Sequence, residues 1–195
     1  LVGSEMCIRD RLYVTPLQIN PSDPVMPIST PGDWACDLCE DLGYFYTQAL
    51  PEDTKALSAG IFTTPEFMRQ ATFVYDERRR ALDHFMDSFD EGLLFFYFSS
   101  CDQQSHMLWR NVDPRHPGFE DIAGLRNSIR DIYAKIDEAA GHVMERMDPD
   151  TTLIIMSDHG FAPFYWGVIL TLIHISPSRR SSNCRERGAP YLKKK

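Results

Sequence analysis

Hydrophobic positions recur at two different periods along this chain. Trp34, Leu38 and Leu42 follow Asp33 at helical spacing and stop at Gly43, which predicts a short helix capped by the aspartate and ended by the glycine. Before it, 12–19 is extended and interrupted by Pro16, an edge strand or strap, and 20–32 is loop with four prolines. A helical turn is expected around 53–57. Pro65, with Thr64 as its cap, opens a longer helix on which Phe67, Ala71, Val74, Leu82, Phe85 and Phe89 form one stripe. A second stripe, Ile122, Leu125, Ile129, Ile132, Ile136, Ala140, Val143 and Met147, predicts a helix over about 120–147, ended by Pro149. The runs 92–99 and 151–156 differ in kind. They are apolar without alternation, as strands covered on both faces require. Strand, helix, strand at this length is a βαβ unit, parallel and right-handed. The expected fold class is α/β with a parallel-sheet core.

Each run leads into an Asp/His pair: Asp102-Gln-Gln-Ser-His106 after the first, and Ser157-Asp158-His159-Gly160 after the second. In open α/β sheets ligands bind at the carboxyl ends of strands. Carboxylate with imidazole is the donor set for Zn²⁺ or Mn²⁺ in hydrolytic sites. Asp102 and His106, four apart, can close on one ion from one side. Asp158 and His159 point apart in a strand and can share an ion only where the backbone turns, which Gly160 permits. Taken singly, Asp102 also fits a helix N-cap and Ser157-Asp158 an ordinary turn. Together, at the ends of two runs joined by one helix, they point to a metal centre.

Phe98-Ser-Ser-Cys-Asp102-Gln-Gln-Ser-His106, followed some fifty residues later by Ser157-Asp-His-Gly-Phe161, resembles the alkaline phosphatase superfamily, nearest its type I phosphodiesterase/nucleotide pyrophosphatase group and the related phosphohydrolase/phosphomutases. The likeness runs more loosely over 12–168. It implies an alkaline phosphatase-like sheet and two divalent ions, Zn or Mn. Asp102 and His106 would serve one ion, and Asp158 and His159 the other. The implied substrate is a small-molecule phosphate ester, displaced in line between ions about 4 Å apart. That family's first metal-binding aspartate, its Ser or Thr nucleophile and a further histidine fall on no residue here. Thr63 and Thr64 read as cap residues, and the chain is expected not to turn over. A phosphomutase or sulfatase-like enzyme, or a non-catalytic binding module, are the competing readings. Arg110 is a candidate for contacting an anionic substrate, and His116 for a further ligand. Gln103, Gln104 and Ser105 are near enough in sequence to donate hydrogen bonds there.

Charge and the chain ends refine this picture. Residues 1–11 resemble a translated sequencing adapter, and Leu172–Ser176 resembles its other strand. The expected organisation is therefore adapter-like 1–11, a central catalytic-domain part over 12–168, and an adapter-like tail over 169–195, with a true basic tail as the alternative. The tail's seven basic residues outnumber its one acid by six and the first eleven residues cancel, so the formal −8 conceals −14 on 12–168. Such a core argues against nucleic-acid binding. No apolar stretch reaches membrane-spanning length. The core's Cys36, Cys39 and Cys101 are too few and odd in number for a disulfide framework, and Cys36-Asp-Leu-Cys39 reads as chance spacing.

Overall fold

The computed structural model describes residues 12–163 and 165, in two compact units divided after Asp53. In the first unit, α1 (Trp34–Leu42) buries Ala35 and Cys39. It ends where Gly43 takes φ +80° and returns its N–H to the Cys39 carbonyl at 3.0 Å. A left-handed residue at this point is the usual helix terminator, as expected. Asp33 occupies the N-cap but its side chain makes no capping hydrogen bond. The 12–19 segment is a strap, laced by polar contacts to residues 47–48. The Gln18 side-chain carbonyl accepts from the Thr47 N–H at 2.9 Å and the Gln48 N–H at 3.1 Å. The Ile19 N–H donates to Thr47 Oγ1 at 2.9 Å.

The second unit is built from α2 (Thr54–Ser58), α3 (Thr64–Ser88), α4 (Ser100–Val112) and α5 (Ser128–Arg146). The α3 start is a full capping box: Thr63, rather than Thr64, is the N-cap, accepting from the Glu66 N–H while Glu66 accepts from the Thr63 N–H. Phe67, Ala71 and Val74 are fully buried on the predicted stripe. The core joins Leu57 of α2, Phe67 and Ala71 of α3 and Leu108 of α4, flanked by Phe62, Met68 and Met107. The α4 helix packs on both α3 and α5. The α5 helix begins at Ser128 rather than near 120, because Gly124 takes φ +84° and 122–128 is turned back on itself by 3.1 Å bonds from Leu125 N–H to Ile122 O and Ser128 N–H to Leu125 O.

The expected parallel sheet is not found, and the α/β assignment is corrected to a helical one: among the described residues no strand is paired with another. The two runs read as strands are extended chain without a ladder. In 92–99 alternate residues behave oppositely. Phe96 and Phe98 lie against each other at 5.1 Å and reach α3 through Phe85 and Tyr75, at 6.4 and 5.8 Å between centroids. Leu93, Phe95 and Tyr97 are exposed. In 151–156 Ile154, Ile155 and Met156 are likewise exposed. An apolar run carries no record of whether a neighbouring strand is there to receive its backbone hydrogen bonds, and a strand exists only through that pairing. Without the sheet there is no βαβ unit, and the polar residues after the first run belong instead to α4.

Candidate metal centre

The α4 helix turns 100° per residue, which puts Asp102, His106, Trp109 and Arg110 on one side and Gln104, Leu108 and Asn111 on the other. The second set is fully buried, so α4 is held by its core side and presents Asp102 and His106 outward. His106 Nε2 lies 3.3 Å from Asp102 Oδ1. His159 Nε2 approaches the same oxygen at 3.6 Å. The 157–160 segment turns because the Ser157 hydroxyl donates to the His159 carbonyl at 2.6 Å. Among the described residues the left-handed glycines are Gly43, Gly60, Gly92 and Gly124, so the turn at Gly160 does not use that freedom. The structure thus brings together three of the four expected ligands. Asp158 stands at the margin, 88 % exposed, with Oδ2 3.8 Å from His159 Nε2.

The electrostatics of this cluster are unbalanced. Asp102 Oδ2 accepts from Gln103 Nε2 at 2.8 Å, but Oδ1 is shut off from solvent and accepts no hydrogen bond among the described residues. Two imidazole nitrogens are in ion-pair range of that oxygen without hydrogen-bond geometry. His159 Nδ1 is 2.9 Å from the Gly160 carbonyl. A proton on Nδ1 satisfies that contact and leaves Nε2 with a lone pair 3.6 Å from a carboxylate oxygen, a proximity that a proton or a cation would relieve. The Gly160 carbonyl, and then the Asp158 and Asp102 charges, hold the His159 pKa above its ordinary value.

These donors meet a first test of fit to a metal. Zinc bound at 2.0–2.2 Å by nitrogen and oxygen in a tetrahedron separates its donors by about 3.4 Å. The two separations at Asp102 Oδ1, 3.3 and 3.6 Å, bracket that spacing. The full shell is a different matter: no group of three or more His, Cys, Asp or Glu side chains among the described residues is arranged to hold an ion. The pairwise spacings describe the neighbourhood of one oxygen. Asp102, His106 and His159 do not by themselves make a three-ligand group, and Asp158 stands further out still.

The remaining candidates are engaged elsewhere. Arg110 Nη2 donates to Thr64 Oγ1 at 3.1 Å and lies 3.7 Å from Glu120 Oε2. His116 Nδ1 accepts from the Gly118 N–H at 3.1 Å, a contact within its own turn. Gln104 and Ser105 are buried in the helix packing. Cys36, Cys39 and Cys101 are free thiols. One residue with no assigned role in the sequence, Phe161, lines the centre. Phe161 lies against His106 and Trp109, at 4.8 and 5.5 Å between centroids. Its place directly after Ser-Asp-His-Gly was the one signal available.

Cys101, next to Asp102, has its thiol pushed up to about 11, by burial first and by the Asp102 charge second. A raised pKa favours the protonated form in the folded chain. Its contribution to stability is therefore complete below the ordinary value of 9.0 and lost as pH rises through about 11. Iodoacetamide, which needs the thiolate, should label Cys101 slowly in the native chain at pH 8 and faster only as pH approaches 11, read by mass spectrometry of the peptides. Equal labelling of native and unfolded chain at pH 8 would contradict this.

No helix among the described residues is long and apolar enough to cross a membrane. A family model, type I phosphodiesterase / nucleotide pyrophosphatase, matches residues 44–175. No curated protein and no solved structure matches the chain. The family match begins after α1 and runs seven residues past the boundary expected at 168. It covers more than half of the sequence and takes in Asp102, His106, Asp158 and His159 alike, so the chain belongs to the type I phosphodiesterase / nucleotide pyrophosphatase family.

Proposed function

We propose that this chain carries part of a metal-dependent phosphoric ester hydrolase site of phosphodiesterase or phosphatase type, acting on small-molecule phosphate esters. Asp102 and His106 hold one divalent ion, zinc or manganese, and Asp158 and His159 contribute to a second. Family membership supports the hydrolase class. The observation that supports the metal is the buried Asp102 Oδ1, which accepts no hydrogen bond among the described residues and lies 3.3 Å from His106 Nε2, a spacing that two donors to one ion take. Bound divalent ions supply charge stabilisation to the attacking and leaving oxygens and a lowered pKa for the attacking group.

The chain's own residues do the rest. Gln103 holds the second oxygen of Asp102, which fixes the carboxylate plane and leaves Oδ1 toward the histidines. The Gly160 carbonyl fixes the His159 ring. Asp158, on the exposed side, can swing toward an ion without unpacking anything. Arg110 Nη2 is engaged by Thr64 and faces Glu120, so through that nitrogen Arg110 meets a substrate anion only in competition with them. The Thr63 and Thr64 hydroxyls are committed to the α3 cap and to Arg110, so neither serves as nucleophile.

Two ions need more ligands than these four residues offer. The 195-residue chain should therefore take up zinc, releasing it to EDTA, without hydrolysing bis(p-nitrophenyl) phosphate. Calorimetric titration with zinc and an absorbance assay at pH 8 check both parts. A chain that takes up no zinc sinks the metal reading, and turnover would show that the four ligands suffice.

A further inference from the structure

We infer that Tyr165 is a positioning residue: its hydrogen bond to Asp113 fixes where the Asp158–His159 pair lies along α4. The inference goes beyond the metal reading and holds whether or not an ion binds. Asp102, His106, Trp109 and Asp113 are spaced four, three and four apart, so they form one stripe along α4 and its C-cap. The later chain meets that stripe in order. His159 approaches Asp102 at 3.6 Å. Phe161 lies on His106 and Trp109, at 4.8 and 5.5 Å between centroids. The Tyr165 hydroxyl donates to Asp113 Oδ2 at 2.6 Å. From His159 to Tyr165 the chain thus follows the helix in the helix's own direction. Asp102 to Asp113 is about 16 Å of helix axis, within the roughly 20 Å that six steps of extended chain can span.

The site end of this stretch is loosely held. The approach of His159 to Asp102 lacks hydrogen-bond geometry, and Asp158 is 88 % exposed. The Ser157 hydroxyl and the His159 ring bond within their own turn, to the His159 and Gly160 carbonyls. The Phe161 stack attracts, but stacked rings tolerate a range of offsets. Among the described residues, Tyr165 to Asp113 is the side-chain hydrogen bond that ties this stretch to α4. Its acceptor is fixed in place. Asp113 is the C-cap of α4, its N–H returned to the Trp109 carbonyl at 3.0 Å, and its side chain is 11 % exposed. Arg115 grips both carboxylate oxygens, Nε to Oδ1 at 3.1 Å and Nη2 to Oδ2 at 3.2 Å, the paired geometry that adds direction to a charge-assisted bond. The Arg115 N–H donates to Oδ1 as well, at 3.0 Å. The guanidinium also lies over the Tyr165 ring, 5.7 Å from its centroid, within cation–π range. Arg115 first and Tyr165 second hold the Asp113 carboxyl below its usual range, and the bond to Asp113 holds the Tyr165 phenol above its own. A directional bond to an immobile oxygen sets a register that ring contacts leave free to slide.

The test uses the full chain without metal, so that failure of the metal reading leaves it untouched. Tyr165→Phe keeps the ring and removes the hydroxyl alone. Neither Tyr165 nor Asp113 belongs to the buried core, so Tyr165→Phe, Asp113→Ala and the double variant should keep the helical circular dichroism of the parent. Nuclear Overhauser contacts between the His159 ring and the Asp102 β-protons, present in the parent, should be lost in Tyr165→Phe and in Asp113→Ala alike. The double variant should lose no more than either single one, as two partners of one bond require. The Tyr165 phenol, followed by carbon-13 resonance, should titrate above 10.0 in the parent and move down toward it in Asp113→Ala. Asp113→Asn, which keeps an acceptor oxygen, should keep the contacts. Losing them there as fully as in Asp113→Ala would assign the effect to charge at the helix end and overturn the inference. Contacts of parent strength in Tyr165→Phe, or a parent that shows none, overturn it as well.

Discussion

Asp102→Ala should weaken zinc binding by roughly 100-fold or more, beyond the 10–100-fold typical of losing an outer support, and should do so without unfolding the chain. Asp102 is the group that the two histidines share: Oδ1 is 3.3 Å from one Nε2 and 3.6 Å from the other. Removing it leaves two imidazoles with no anion between them. Asp102→Asn should lose nearly as much, because the amide keeps the shape but not the charge that a divalent ion needs. The metal-free chain should respond quite differently. The first turn of α4 loses a carboxylate favoured there by about 0.3–1 kcal/mol. Against that, a buried oxygen that accepts no hydrogen bond disappears, and such an oxygen is a liability in the absence of a cation. The net change in stability should therefore be within about 1 kcal/mol of zero. A large loss of affinity beside a small change in the urea midpoint marks a residue kept for a ligand. If instead Asp102→Ala unfolds the chain, or leaves zinc affinity intact, the assignment of Asp102 as a metal ligand is wrong.

Periodicity made the helices legible where it coincided with a terminator. Trp34, Leu38 and Leu42 before Gly43 gave α1 to the residue, and Thr64 and Pro65 ahead of Phe67 gave the start of α3 within one position, the cap being Thr63. The α5 stripe was read too far upstream, since Ile122 and Leu125 keep the spacing although Gly124 breaks the backbone. The α4 helix was hidden because its buried side is largely polar: Gln104, Ser105 and Asn111 pack beside Leu108. An apolar stripe is what a pattern search sees, and this helix has hardly any. The strand assignments failed for the converse reason. Leu93 to Phe98 has the composition of a covered strand, yet Phe96 and Phe98 pack on α3 side chains and no strand ladder is present among the described residues. For the candidate centre, Asp102 and His106 could be paired from their spacing alone. The approach of His159 to the same oxygen, and of Phe161 to both rings, depends on how the 157–161 segment docks on α4, which no local pattern encodes.

Phe67→Ala should cost about 3–5 kcal/mol, a large share of the 5–15 kcal/mol that holds a typical domain folded. Phe67 is 0 % exposed and sits where three helices meet, against Leu57 of α2, Ala71 of its own helix and Leu108 of α4. Neither alanine nor the small Ala71 beside it can fill the space the ring leaves, so the transfer term and the cavity term both apply. Phe73, on the same helix but 55 % exposed, supplies the control: Phe73→Ala should fall within about 0.5 kcal/mol of the parent. Urea denaturation followed by circular dichroism measures both, and a Phe67→Ala cost below about 1 kcal/mol would remove this cluster from the core. The consequence for the centre follows from Leu108, which anchors the buried side of the helix whose other side carries Asp102 and His106. Loosening that anchor should lower apparent zinc affinity in proportion to the fraction of chain unfolded, and adding zinc should in turn raise the urea midpoint of Phe67→Ala. The two variants therefore separate scaffold from site: in Phe67→Ala stability and zinc affinity fall together and zinc restores the first, whereas in Asp102→Ala affinity falls alone and zinc restores nothing.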